Sequence, residues 1–441
     1  MTAYWCEHAM LPGGVRRSVR VVTTGGRIIE VLPETRAEPG DVSLRGVVLP
    51  GLANGHSHAF HRALRGRTHD HGGNFWTWRD AMYAVTHRLD PETLHALARA
   101  VFAEMLLAGY TTVGEFHYVH HAPRGHRYDD PNVMGTALLS AAREVGIRIT
   151  LLDTCYLAGG LTADGHLPLD EVQERFSDGS VDAWAARVDD LGDDEMARIG
   201  RAVHSVRAVP HDDLAAVGQL AASDRRPLHV HLSEQPGENL ACEGFYGCSP
   251  TELLSGEGLL APTTTVVHAT HLSDKDIELL AGARATACFC PTTERDLADG
   301  IGPARRLHDA GAGLALGSDQ HAVIDPFEEL RGVEMHERLE SLERGRFAPG
   351  DLLAMGTVNG YRSLGWDDGG LIAGGHLADL VAVRLDTART AGCAPDHVLY
   401  AATSADVSDV VVHGERVVTG GQHRAGDVGR MLAHAIAAVR R

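Results

Sequence analysis

The chain has 441 residues, 44% of them hydrophobic, with a formal net charge of −19. That is enough apolar matter for one large domain with a smaller companion. The acid excess, with no basic block or arginine–aromatic interleaving, makes nucleic acid and anionic membranes poor partners. Met1-Thr2-Ala3-Tyr4-Trp5-Cys6 has no basic segment leading into an apolar one, and no later stretch approaches a membrane span, so a cytoplasmic protein is expected, with a homodimer as its assembly.

In chain order, Val15–Pro33 reads as short β-rich runs with Gly turns, and Val47–Gly51 as the first strand of a repeating pattern. Pro91–Ala108 follows as a helix, with Leu94, Leu97, Ala98, Val101, Met105 and Leu106 at helical spacing. Seven further strands are expected at Thr111–Phe116, Arg148–Thr154, Ala202–Val209, Pro227–Leu232, Thr264–Ala269, Ala285–Pro291 and Gly313–Asp319. The Asp- and Gly-rich stretch Asp164–Asp194 reads as a surface excursion. Eight strands alternating with helical patterns predict a (β/α)8 TIM barrel over residues 50–369. Asp379–Arg384 and the hairpin within Val407–Gly420 return to β character. Together with the N-terminal runs they predict a small β-sandwich built from residues 1–49 and 370–441.

The chemistry-bearing residues fall where these runs end. His56 and His58 are one residue apart, so in an extended segment both imidazoles project from one side and can bind one ion. His231, His268 and Asp319 each close a separate apolar run. Three imidazoles and a carboxylate suit a divalent metal, and the C-terminal strand ends of a barrel are where such a site is assembled. His229, two residues before His231, is its local competitor. Seven cysteines without regular spacing fit reduced thiols, and Cys288-Phe289-Cys290 reads as buried core. Lys275 is the only lysine and sits in a polar helix start, so a two-metal site bridged by a modified lysine is disfavoured and one ion, zinc, is expected.

The chain resembles the amidohydrolase superfamily, through Pro50-Gly51-Leu52-Ala53-Asn54-Gly55-His56-Ser57-His58, His229-Val230-His231-Leu232-Ser233-Glu234, Val267-His268-Ala269 and Gly317-Ser318-Asp319. More narrowly it resembles the formimidoylglutamate deiminases, through Phe75-Trp76-Thr77-Trp78-Arg79-Asp80, Val113-Gly114-Glu115-Phe116-His117-Tyr118, His204-Ser205-Val206-Arg207 and Cys290-Pro291-Thr292-Thr293-Glu294. The resemblance implies a metal quartet of His56, His58, His231 and Asp319, with His231 preferred over His229. It implies that Asp319 and His268 take the water proton and orient the nucleophile, while Glu234 carries a proton to the leaving nitrogen. Arg79 and Arg207 would hold the two substrate carboxylates, with Tyr118 and His204 as donors beside them. Trp76 and Trp78 read as core or wall residues.

Two positions depart from the pattern. His61 stands where the family commonly has Gln, and Gln320 where it usually has a small hydroxyl residue; both are expected at the substrate. The implied reaction is hydrolysis of N-formimidoyl-L-glutamate, a small dicarboxylate, to N-formyl-L-glutamate and ammonia. The alternatives are deamination of a purine or pterin ring, and a non-catalytic scaffold of the same fold.

Overall fold

The computed structural model describes residues 1–69 and 75–440. Eight parallel strands form the central sheet: β1 (Leu52–Ser57), β2 (Tyr110–His117), β3 (Arg148–Cys155), β4 (Ala197–Val203), β5 (Leu228–Leu232), β6 (Thr264–His268), β7 (Thr286–Phe289) and β8 (Gly313–Leu316). Each pairs with its neighbour in chain order, and an isolated parallel bridge between Ser57 and Asp319 draws the last strand back to the first. At that seam Ser318 and Asp319 donate their N–H groups to His56 O at 3.1 and 3.0 Å, and His58 N–H donates to Asp319 O at 3.1 Å. Closure of the barrel and approach of three ligand candidates are thus one set of hydrogen bonds. All residues of β2 and β3 are buried, as in a parallel sheet covered by helices.

Two strands lie elsewhere than the sequence suggests. Val47–Gly51 is not the first barrel strand: Val42–Pro50 belongs to the terminal sheet, where it pairs with Leu380–Val383, and β1 begins after Gly51. The β1 sequence Leu-Ala-Asn-Gly-His-Ser is too polar to read as a buried strand because it carries site residues. The fourth strand is Ala197–Val203 and not Ala202–Val209. Val206, Ala208 and Val209 are buried, but in the turn that follows. The stretch 164–194 is more than a surface excursion. It completes a small hairpin (Gly160–Thr162 with Gly165–Leu167), forms a helix at Val181–Asp189 and buries Gln173, Arg175, Phe176 and Trp184.

Strands from both ends of the chain form one further sheet of eight strands, in which Thr2–Leu11 pairs parallel with Val42–Pro50 and the other pairings are antiparallel. It encloses a core of its own that includes Tyr4, Cys6, Val19, Val21, Ile28, Leu44, Leu380 and Val411. Asp379 pins this sheet to the barrel. Its fully buried carboxylate meets Arg148 at 3.2 Å, accepts from Tyr361 Oη at 2.7 Å and accepts from His413 N–H at 2.8 Å.

The helix Pro91–Ala108 has the expected bounds, and its ends explain why. Asp90 caps the Thr93 N–H, the Thr93 hydroxyl bonds back to the Asp90 backbone, Pro91 sits in the first turn, and Gly109 closes the helix with φ +104°. Its apolar face packs into the barrel core. Asp90→Ala is expected to destabilise the protein by about 1 kcal/mol and to speed amide exchange at Thr93; unchanged exchange there would contradict the capping role.

Candidate active site

The four predicted ligands converge. His56, His58, His231 and Asp319 offer ligand atoms that all lie within 4.8 Å of one another. His56 Nε2 is 3.1 Å from both His58 Nε2 and His231 Nε2, and Asp319 Oδ1 is 3.4 Å from the Nε2 atoms of His56 and His58. The backbone sets the tautomers. His58 Nδ1–H donates to Phe116 O at 3.0 Å and His231 Nδ1–H to His204 O at 2.9 Å, which leaves both Nε2 atoms as lone pairs aimed at the same point. Lone pairs facing a carboxylate oxygen repel unless a cation lies between them, so the donor set fits a divalent ion. Burial pushes the His56 imidazole down to about 4 and holds His58 and His231 well below their usual range, the neutral form a ligand needs. Burial alone would raise the Asp319 carboxyl, but the facing imidazoles, His56 first, outweigh it and keep it ionised. His229 is turned elsewhere, its Nε2 bonded to Ser363 O at 2.9 Å.

Backbone strain gathers at this end of the barrel. Ser233, His268, Ala269 and Asp319 all have positive φ (49°, 69°, 50° and 40°), which non-glycine residues hold only when the surroundings impose it. His268 Nε2 lies 3.8 Å from Glu234 Oε1 and 3.9 Å from Asp319 Oδ2, while its Nδ1 lies 3.5 Å from Glu294 Oε1. Burial works against its proton, yet the surrounding carboxylates, Glu234 first, raise it to about 10. A divalent ion held by Asp319 would counter that pull.

A cavity of about 670 Å³ opens over the quartet, and seven further expected site residues reach it: His61, Arg79, Tyr118, His204, Arg207, Glu234 and His268. His61 Nε2 and Tyr118 Oη are 3.1 Å apart, and burial lowers the His61 imidazole to about 4, so it acts as a neutral hydrogen-bonding group. Arg79 stacks 5.4 Å from the centroid of the Tyr83 ring. Arg207 lies beyond the end of β4, with Nη2 3.4 Å from Glu234 Oε2 and Nε 3.4 Å from Glu238 Oε2. Trp78 is a wall residue, whereas the side chain of Trp76 lies outside the described residues. Gln320 does not reach this cavity as expected. It is buried on the far side of Asp319, where its Nε2 donates to Asp296 Oδ2 at 2.8 Å.

Other residues support the site without having been singled out in the sequence. Glu115 accepts from Ser57 Oγ at 2.6 Å and from Ala59 N–H at 2.7 Å, bracing the segment that carries both first histidines. Burial pushes its carboxyl up to about 8. Glu238 lies four residues after Glu234, in the first turn of the helix Pro236–Tyr246, and its carboxylate faces Arg207. Glu294, at the end of the string Cys290–Glu294, accepts from Cys290 N–H at 2.7 Å and faces His268 Nδ1. A second group of histidines and a carboxylate, His117, His120 and Asp153, is already neutralised: Arg187 binds the Asp153 carboxylate through two contacts of 2.8 Å. Lys275, on the helix Asp274–Ala283, is exposed and pairs with Glu252 of the helix Pro250–Gly256, and neither lines the cavity.

The amidohydrolase family model matches residues 47–417. The chain belongs to the amidohydrolase family. It is a hydrolase of carbon–nitrogen bonds, the family uses a divalent metal, and the quartet is a group of residues that could hold one. Among its relatives, formimidoylglutamate deiminase of Pseudomonas aeruginosa is 36% identical, with 96% of each chain covered. The 8-oxoguanine deaminase of the same organism is 30% identical over 92% of this chain and 89% of that protein. Among solved structures, an amidohydrolase from Brucella melitensis superimposes over the full length of both chains with a TM-score of 0.90 and 32% identity. An adenosine deaminase from Xanthomonas campestris with bound zinc shares the fold, with a TM-score of 0.85 at 24% identity over 99% of this chain and 97% of that one. No helix among the described residues is long and apolar enough to cross a membrane.

Proposed function

We propose that this amidohydrolase is a deiminase holding one zinc ion, which converts N-formimidoyl-L-glutamate and water to N-formyl-L-glutamate and ammonia, a step of histidine breakdown. The observation that carries the substrate is the pair of guanidinium groups, Arg79 and Arg207, in the cavity that opens onto the metal quartet. A linear dicarboxylate with a formimidoyl head fits this division, acids toward the arginines and the reacting carbon toward His231 and Asp319. His56, His58, His231 and Asp319 hold the ion, which when bound acidifies a water into the neutral range. Asp319 accepts the water proton while His268 orients the nucleophile, and Glu234 delivers a proton to the departing nitrogen, so both charges that develop in the reaction are met by groups already in place. His61, Tyr118 and His204 orient the substrate. The position of Lys275 favours one ion over two.

A second reading, deamination of a purine or pterin ring, draws on the aromatic lining of the same cavity, Trp78, Tyr83, Tyr118 and Tyr156, and on the 8-oxoguanine deaminase relative. Ammonia release from a panel of formimidoyl amino acids, purines and pterins decides between them. The complete quartet speaks against a non-catalytic scaffold. Within the panel, Arg207→Met is expected to lower kcat/KM for formimidoylglutamate by about thirtyfold or more, because a carboxylate bound in a partly dry pocket loses its charged partner. Metal content should not change, and a neutral formimidoyl analogue, poor with the parent, should lose much less. Equal losses on both compounds would remove the dicarboxylate assignment.

A further inference from the structure

Gln173 lies in the stretch 164–194 and is buried, yet its amide reaches three walls of the cavity at once. Its Nε2 is 3.0 Å from Tyr83 Oη on the helix Phe75–Thr86, 3.0 Å from Tyr156 Oη just past β3, and 3.0 Å from Gly159 O at the root of the small hairpin. Its Oε1 accepts from Asp170 N–H at 2.9 Å, which fixes which end of the amide faces the tyrosines. The hairpin root can come this close only because residue 159 is glycine; a Cβ there would lie 2.1 Å from Pro168 O. Tyr83, Tyr156, Gly159 and Gln173 all line the cavity, and Arg79 stacks on the ring of Tyr83.

An amide nitrogen only donates, so Gln173 offers two hydrogens to three oxygens, Gly159 O and the two phenol oxygens, and each phenol accepts on that side while keeping its own hydrogen. Gly159 O can only accept and takes one amide hydrogen. The phenol oxygens share the other, and the two phenols, which interact with each other, use one of their own hydrogens between them. One hydroxyl hydrogen is left over, and the open side of the cluster is the cavity.

We propose that Gln173 is a positioning residue for substrate specificity: it turns the Tyr83–Tyr156 pair so that a phenol O–H, beside Arg79, donates to an acidic group of the substrate. The inference rests on the acidic substrate class proposed above and adds two hydroxyls and an amide to the groups that read it. Such a donor suits a carboxylate and offers little to a neutral group, since hydrogen bonds to charged acceptors are about twice as strong.

Gln173→Met tests this with little change of volume. Without the amide, Gly159 O recruits a phenol hydrogen and none remains for the cavity. The expected result is a KM for formimidoylglutamate raised by about tenfold or more, the loss of a hydrogen bond to a charged acceptor, with kcat and metal content little changed and a neutral formimidoyl analogue affected far less. In a Tyr83→Phe/Tyr156→Phe background, which removes the donor directly and shows the same KM rise by itself, Gln173→Met should add little. An unchanged KM in the double Phe enzyme overturns the proposal even if Gln173→Met fails to fold, and so does an equal loss on acidic and neutral substrates. If the parent enzyme does not turn over formimidoylglutamate at all, it is the substrate reading that falls. The wall is then measured by calorimetric binding of glutarate to parent and variant, where equal affinity overturns the inference.

Discussion

Glu234→Gln is expected to lower kcat by at least about two orders of magnitude, the usual size of general acid–base assistance, while the metal stays bound. The glutamine keeps the shape of the side chain and can still meet Arg207, but it has no proton to give the leaving nitrogen. The carboxylate is buried, 8% exposed, between the His268 imidazole at 3.8 Å and the Arg207 guanidinium at 3.4 Å, so bulk water is a poor substitute for it. Arg207 retains Glu238 in the variant, which limits the structural cost. The loss should therefore fall on kcat more than on KM, with metal content by elemental analysis unchanged. Near-normal turnover in Glu234→Gln would strip the residue of its assigned role, whereas metal loss would show that it supports the quartet instead.

How much of this was legible in the sequence differs between site and fold for a physical reason. The metal quartet could be read because its residues are chemically unlike their apolar strands and sit at strand ends; all four converge as expected. Apolar runs mark strand bounds except where the strand itself carries chemistry: β1 includes Asn54, His56 and Ser57, so the apolar signal falls on Val47–Gly51 before it. The turn after β4 buries Val206 and Val209 as thoroughly as a strand would, which shifts the apolar signal for the fourth strand past its true end. The Asp- and Gly-rich composition of 164–194 hid Gln173, whose importance lies in contacts with residues far from it in sequence, Tyr83 above all. Gln320 shows the converse error. Its neighbour Asp319 belongs to the quartet, but the Gln320 side chain is directed away from the cavity, toward Asp296.

His231→Ala should abolish metal binding and, with it, turnover. The imidazole is fixed by two bonds to one carbonyl, Nδ1–H to His204 O at 2.9 Å and its backbone N–H to the same oxygen at 3.2 Å, so its Nε2 is pre-aimed at His56 before any ion arrives. Removing it leaves two imidazoles and one carboxylate, with an opening to the cavity where the third nitrogen stood. His229→Asn supplies the control. That residue lies two positions earlier on the same strand but bonds to Ser363 O, so the ion should stay. The parent protein is expected to hold close to one divalent ion per chain, and two tightly bound ions in every preparation would refute the single-ion reading. Unfolding gives a second measure. An ion that binds the folded chain at about 1,000 times its Kd adds about 4 kcal/mol of stability to the parent, and it should add nothing to His231→Ala. If the variant instead keeps the ion and the His229 variant loses it, the ligand assignment must move by two residues along β5, and the roles given to Glu234 and Arg207 would have to be rebuilt around the shifted ion.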